Sequence, residues 1–236
     1  MTQLLVSDVH AHYDQSHVLQ GVNFEVQPGT ITTILGRNGS GRSTTLKALM
    51  GIVAPTAGSI KFDGVELVGM TPAKISRAGI AFVPEDRLVF PNLSVEENLL
   101  VGMQKERPGR PVWTIAEMYQ HFPRLGERQN QIASTLSGGE QQMLTICRSL
   151  LGNPKILLVD EPTEGLAPQI VSLLRDILLA IKARGVSIIL VEQRLTMALQ
   201  ISDAVLVMGH GKIAYSGSVT AFKQDTSIRK RWLDVA

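Results

Sequence analysis

The chain has 236 residues, with 23 Lys plus Arg against 21 Asp plus Glu and a formal charge of +2. That balance gives no electrostatic case for a nucleic-acid partner, and 44% apolar with 19% charged residues excludes a wholly disordered chain. The longest stretch free of charged side chains, residues 48–60, contains Pro55 and two glycines, and it is shorter than the ~20 apolar residues a membrane-spanning helix needs. The first residues carry no basic segment followed by a long apolar run, so no secretory signal is expected. A single cysteine, Cys147, cannot form an internal disulfide, which fits a reducing cytoplasm.

In chain order, Leu4-Leu5-Val6 and Val22-Asn23-Phe24-Glu25-Val26 predict short strands, the second half exposed. Thr30-Ile31-Thr32-Thr33-Ile34-Leu35 is β-branched and uncharged, as in a strand buried on both faces. A glycine cluster follows, and then a helical pattern over residues 43–50 closed by Gly51. Residues 90–153 read as helices and loops, with an exposed turn at Pro108-Gly109-Arg110-Pro111. Within them, residues 140–152 place Met143, Leu144, Ile146, Cys147, Leu150 and Leu151 on one helical face. Two continuous apolar runs, 156–159 and 186–191, flank helical periodicity at 170–184. That order predicts a parallel sheet with covering helices. Residues 204–208 and 212–215 predict a closing hairpin. The layout is an α/β body interrupted by a helical insertion.

Gly36-Arg37-Asn38-Gly39-Ser40-Gly41-Arg42-Ser43-Thr44 links the buried strand to the helix. Such a loop turns backbone N–H groups inward and adds the positive end of the helix dipole, so it cradles phosphates. Its spacing is that of a P-loop, with Ser43 at the magnesium-binding hydroxyl and Arg42 where a lysine is expected. Ile156-Leu157-Leu158-Val159-Asp160-Glu161 is a buried strand ending in two acids. In P-loop enzymes the first helps hold Mg²⁺, and the second is placed to orient or deprotonate an attacking water. Leu136-Ser137-Gly138-Gly139-Glu140-Gln141-Gln142 starts a helix about 23 residues before that acid pair. Ser137 with Glu140 fits a capping box there.

With that last string the chain resembles the ATP-binding cassette of ABC transporters, over essentially its whole length. The resemblance implies an α/β P-loop NTPase fold with a RecA-like core (about 1–86 and 154–236), an antiparallel β subdomain and a helical subdomain (about 87–153). Together these form one cassette spanning 1–236. It also implies ATP and Mg²⁺ as cofactors. Tyr13 would stack on adenine, Ser43, Glu85 and Asp160 would reach the metal, and Glu161 would act at the attacking water. Gln193 stands where most cassettes have a switch histidine, and Ser137, Gly138 and Gly139 would meet the γ-phosphate held by a second cassette. Thr163-Glu164-Gly165-Leu166 occupies the D-loop position.

Three departures from the usual pattern are Arg42, Glu85 in place of glutamine, and Gln193, which cannot serve as an acid or base near pH 7. Glu85 in Pro-Glu-x-Arg, Gly165-Leu166-Ala167-Pro168 and Val191-Glu192-Gln193 resemble the ATPase subunits of branched-chain amino acid importers and related urea or amide importers. The implied protein is a cytoplasmic ATPase subunit lying on the inner face of a bacterial membrane. Its partners would be a second cassette, identical or not, permease subunits, and indirectly a periplasmic solute-binding protein. The alternatives are a urea or amide importer, or an ATP-gated cassette with weak hydrolysis paired with a more active one. Cys147 is expected in the core, the C-terminal Arg229-Lys230-Arg231-Trp232 is expected to be a solvated helix end, and the five histidines show no metal-ligand spacing.

Overall fold

Residues 3–233 are the part of the chain that the computed structural model describes. They begin with the strands β1 (Leu4–Tyr13), β2 (Ser16–Val26) and β3 (Ile31–Gly36), followed by the helix α1 (Arg42–Leu49). Next come β4 (Ala57–Phe62), β5 (Val65–Glu66), α2 (Pro72–Ala78) and β6 (Ile80–Val83). The helices α3 (Val95–Gly102), α4 (Ile115–His121), α5 (Pro123–Glu127) and α6 (Gly138–Leu150) then run without an intervening strand. The chain continues through β7 (Ile156–Asp160), α7 (Pro168–Ala183), β8 (Ser187–Val191), α8 (Leu195–Ile201), β9 (Ala204–Gly209) and β10 (Lys212–Ser218), and ends with α9 (Val219–Gln224) and α10 (Thr226–Trp232).

Two sheets result. An antiparallel one has the order β2-β1-β4-β5, and a six-stranded one has the order β10-β9-β3-β8-β7-β6, parallel except for β10. Every residue of β7 and β8 is buried, which is why neither shows polar alternation. The period of two is still present in what each side chain meets. Leu157, Val159, Ile188 and Leu190 face a core built with α6 and α7. Ile156, Leu158, Ile189 and Val191 face the opposite core, shared with α1 and the antiparallel sheet.

β1 runs seven residues past the predicted Leu4-Leu5-Val6. Ser7, Asp8, His10 and His12 point outward, and the ladder shifts register between Val6 and Val9, where Asp8 takes φ 49°. That bulge conceals the alternation in the sequence. Cys147 is fully buried on the apolar face of α6, and burial pushes its thiol pKa strongly upward. Trp232 of α10 packs beside Gly209 and lies edge-on to His210, so this part of the C-terminal helix is docked rather than solvated.

Candidate active site

Strand order assembles the site. β3, β8, β7 and β6 lie side by side and parallel, so the segments leaving their carboxyl ends emerge in a row. Ligand sites of open α/β sheets lie at this edge. The glycine-rich loop leaves β3, Gln193 follows β8, Asp160 ends β7 with Glu161 directly after it, and Glu85 follows β6.

The loop geometry depends on two glycines in particular. A Cβ at Gly36 would lie 2.5 Å from the Met208 carbonyl oxygen and 2.7 Å from Ser40 Oγ. Gly41 caps α1 at φ 106°, a conformation side chains resist, and sits close under Met208 and Leu19. The loop therefore lies tight on β9 and delivers Arg42 as the first residue of α1.

A cleft of roughly 270 Å³ joins Asn38, Gly39, Ser40, Gly41, Arg42, Ser43 and Thr44 to Glu85, Glu161, Glu164 and Gln193. Within it, Arg42 Nη2 donates to Glu161 Oε1 at 2.8 Å and to Asn38 Oδ1 at 3.1 Å. Gln193 Nε2 donates to the other Glu161 oxygen. Ser43 Oγ donates to Asp160 Oδ1 at 2.9 Å. Two buried polar atoms, Ser40 Oγ and Arg42 Nη1, have no hydrogen-bond partner among the described residues. Buried donors without partners are uncommon, and these two lie where the loop's N–H groups and the α1 dipole already favour an anion.

The acids are crowded. Glu85, Glu161 and Glu164 bring carboxylate oxygens within 4.8 Å of one another. Burial raises the Glu85 pKa, and repulsion from Glu161 and Glu164 raises it further. Burial also raises Asp160, opposed by the Ser43 hydrogen bond, and it raises Glu161, opposed by Arg42 and then by Gln193. A hard cation would offset this excess charge, and the Ser43 hydroxyl beside the Asp160 carboxylate is an oxygen pair of the type Mg²⁺ takes.

Some candidate residues sit elsewhere. Tyr13 ends β1, exposed and outside the residues lining the cleft, and Arg37 borders the neighbouring clefts toward β8 and α10. Ser137 caps α6 through a complete capping box with Glu140, as the sequence predicts. Ser137, Gly138 and Gly139 are absent from the lining of their own chain's cleft.

Sequence reasoning missed two supports. Glu192 is buried. It accepts from Thr163 Oγ1 at 2.9 and 2.8 Å and from the Gln193 and Arg194 amides at 2.8 Å, which ties the segment after β8 to the one after β7. Arg87 donates to the Glu164 carbonyl at 3.2 Å and lies so close to Gly138 that a side chain there would collide with it. In the sequence, Glu192 stands out as a charged residue directly after a fully buried strand and within Val191-Glu192-Gln193, with nothing to pair it with Thr163.

This fold and this cleft define a P-loop NTPase. Residues 19–164 match the family described as ABC transporter, and the chain belongs to that family as an ABC-type ATPase. It is 40% identical to the high-affinity branched-chain amino acid transport ATP-binding protein BraG of Pseudomonas aeruginosa, over 95% of this chain and 97% of that one. It is 32% identical to the probable branched-chain amino acid transport ATP-binding protein LivF of Archaeoglobus fulgidus, covering 94% of each. Among solved structures, a nucleotide-free ATP-binding cassette from an ABC transporter superposes with a TM-score of 0.83 at 26% identity over the whole of both chains. A cassette in its ADP conformation gives 0.81 at 27% identity over 98% of both.

Proposed function

We propose that this chain is the ATP-binding and ATP-hydrolysing subunit of a bacterial importer of branched-chain amino acids. The phosphate loop, Glu161 and Gln193 line one cleft, and Ser43 at its wall bonds Asp160; that assembly carries the reading. The same chain matches branched-chain amino acid subunits over 95% and 94% of its length. Those relatives favour this substrate class over urea or amides.

ATP phosphates are taken by the loop N–H groups, Ser40 and Arg42, whose guanidinium forks to two oxygens where a lysine would offer one point charge. Arg42 then turns from Glu161 toward the phosphates, and one Glu161 oxygen becomes available to a water. Gln193 keeps hold of the other oxygen and so orients the carboxylate. Ser43 and Asp160, with Glu85 nearby, would hold Mg²⁺, which when bound neutralises phosphate charge. The rate then comes from positioning and electrostatic stabilisation rather than covalent chemistry.

Gly138 and Gly139 open the 13-residue helix α6 behind the Ser137 cap, so the N–H groups of its first turn and the helix dipole offer a second anion-binding surface outside the lining of the chain's own cleft. A second cassette packed head to tail supplies the phosphates for it. A groove lined by Met50, Phe82, Phe90, Val101, Gln104 and Arg148 mixes apolar and polar side chains, and with the exposed Leu88, Leu100 and Met103 it offers a docking surface. No helix among the described residues is long and apolar enough to cross a membrane; in this reading the channel belongs to permease chains that dock at the groove. The proposed location is the inner face of the cell membrane.

Uptake of labelled leucine and labelled urea, measured after deletion of this chain, tests the substrate class. Loss of leucine uptake alone supports the reading. Loss of urea uptake alone, or retention of the chain in the soluble fraction without a membrane partner, contradicts it.

A further inference from the structure

The outward face of the antiparallel sheet carries a group that the nucleotide site does not use. His10 and His12 alternate along β1 and share one face, and His17 stands opposite His12 on β2. The linear spacing shows only His-x-His; the third imidazole arrives across the strand pair. A register shift between Ala11 and His12 also brings His17 diagonally against His10, with His10 Nδ1 3.0 Å from His17 Nε2. The His12 and His17 rings stack at 4.2 Å between centroids and 7° between planes.

We propose that His10, His12 and His17 form a binding site for a divalent transition-metal ion of the zinc class. A tetrahedral ion with metal–nitrogen bonds of about 2.0–2.1 Å holds its ligand nitrogens about 3.3 Å apart, so the His10–His17 pair is already close to ligand spacing. His12 joins the set only by rotating out of its stack on His17 and away from Thr56 Oγ1, which its Nδ1 meets at 3.2 Å; its place on an exposed strand end leaves room for that rotation. The second nitrogen of His10 lies 3.3 Å from Asp8 Oδ1, an outer carboxylate of the kind that fixes the orientation of a ligating imidazole. Three imidazoles without thiolates suit Zn²⁺, Cu²⁺ or Ni²⁺ rather than Mg²⁺ or Ca²⁺, which keeps this site chemically separate from the acid-lined cleft.

Zn²⁺ titration of the untagged full chain by calorimetry, with millimolar Mg²⁺ present to occupy carboxylate sites, tests the assignment. The expected result is one Zn²⁺ per chain, bound at least tenfold more weakly by H10Q/H17Q and by an intermediate factor in H12Q. Thermal melts without metal check that both variants are folded. X-ray absorption of the zinc-loaded protein should show a nitrogen-dominated first shell. An unchanged affinity in H10Q/H17Q, or an oxygen-only shell, places zinc at the Glu85–Glu161–Glu164 cluster and overturns the proposal. An H12Q chain that binds like the native one overturns the three-histidine set.

Discussion

Arg42 Nη2 lies 2.8 Å from Glu161 Oε1, and the two side chains are only 4% and 8% exposed. The cation of the phosphate loop therefore engages the carboxylate proposed to orient water, and the remaining Glu161 oxygen is held by Gln193. A buried pair of this kind gives little net stability relative to apolar replacements, but removing one partner strands a buried charge.

Arg42→Met should accordingly destabilise the chain by about 3 kcal/mol, while R42M/E161Q should recover at least half of that loss. Urea unfolding of the two single variants and the double variant measures the coupling. Additive single effects would show that the pair does not contribute as a unit.

Stability should also respond to pH through the crowded acids. Glu85, Asp160 and Glu161 all have pKa values raised in the folded chain. Each binds a proton more readily folded than unfolded. Their stabilising contribution is complete below the unfolded carboxylate values of about 4 and is lost as pH rises through the raised ones. Glu85→Gln removes one repelling charge, so it should raise Tm at pH 7.5 and change it little at pH 4. The measurement is a pair of thermal melts at each pH without added divalent ions.

Thr163→Val removes the hydroxyl that donates to both oxygens of buried Glu192, which costs about 1–3 kcal/mol when the acceptor is left short of partners. Glu192 also fixes the Gln193 amide, so kcat for ATP hydrolysis should fall more than nucleotide affinity does. Steady-state kinetics with nucleotide titration separates the two.

Val101, 56% exposed on α3, lines the groove proposed to dock the permease. Val101→Asp places a charge where an apolar partner surface would dock. Leucine uptake should drop at least tenfold, with the melting temperature within a few degrees of native. Co-purification of the permease chains with the variant checks the cause directly.

The parts of the site legible in the sequence are those written locally. The loop from Gly36 to Ser43 sits between one strand and one helix, Asp160 and Glu161 end an apolar run, and Ser137 with Glu140 spans a single helical turn. The Glu192–Thr163 tie spans 29 residues and the Arg87–Glu164 bond 77, and neither has a pattern readable before the strand order is known. The six-stranded sheet was readable except at its edge. β6 has four residues, Ile80–Val83, and its apolar run is too short to tell from a loop. The antiparallel sheet was only half legible, because its bulges break the period of two and β5 has just two residues.

Glu161 is proposed to serve hydrolysis in a chain whose phosphate-loop cation is arginine, and ATP turnover of the purified native chain alongside Glu161→Gln and Arg42→Lys decides it. The native chain should hydrolyse ATP, and Glu161→Gln should fall by at least about 10²-fold while still binding ATP. A native rate no higher than that of Glu161→Gln, with Arg42→Lys active, would contradict it.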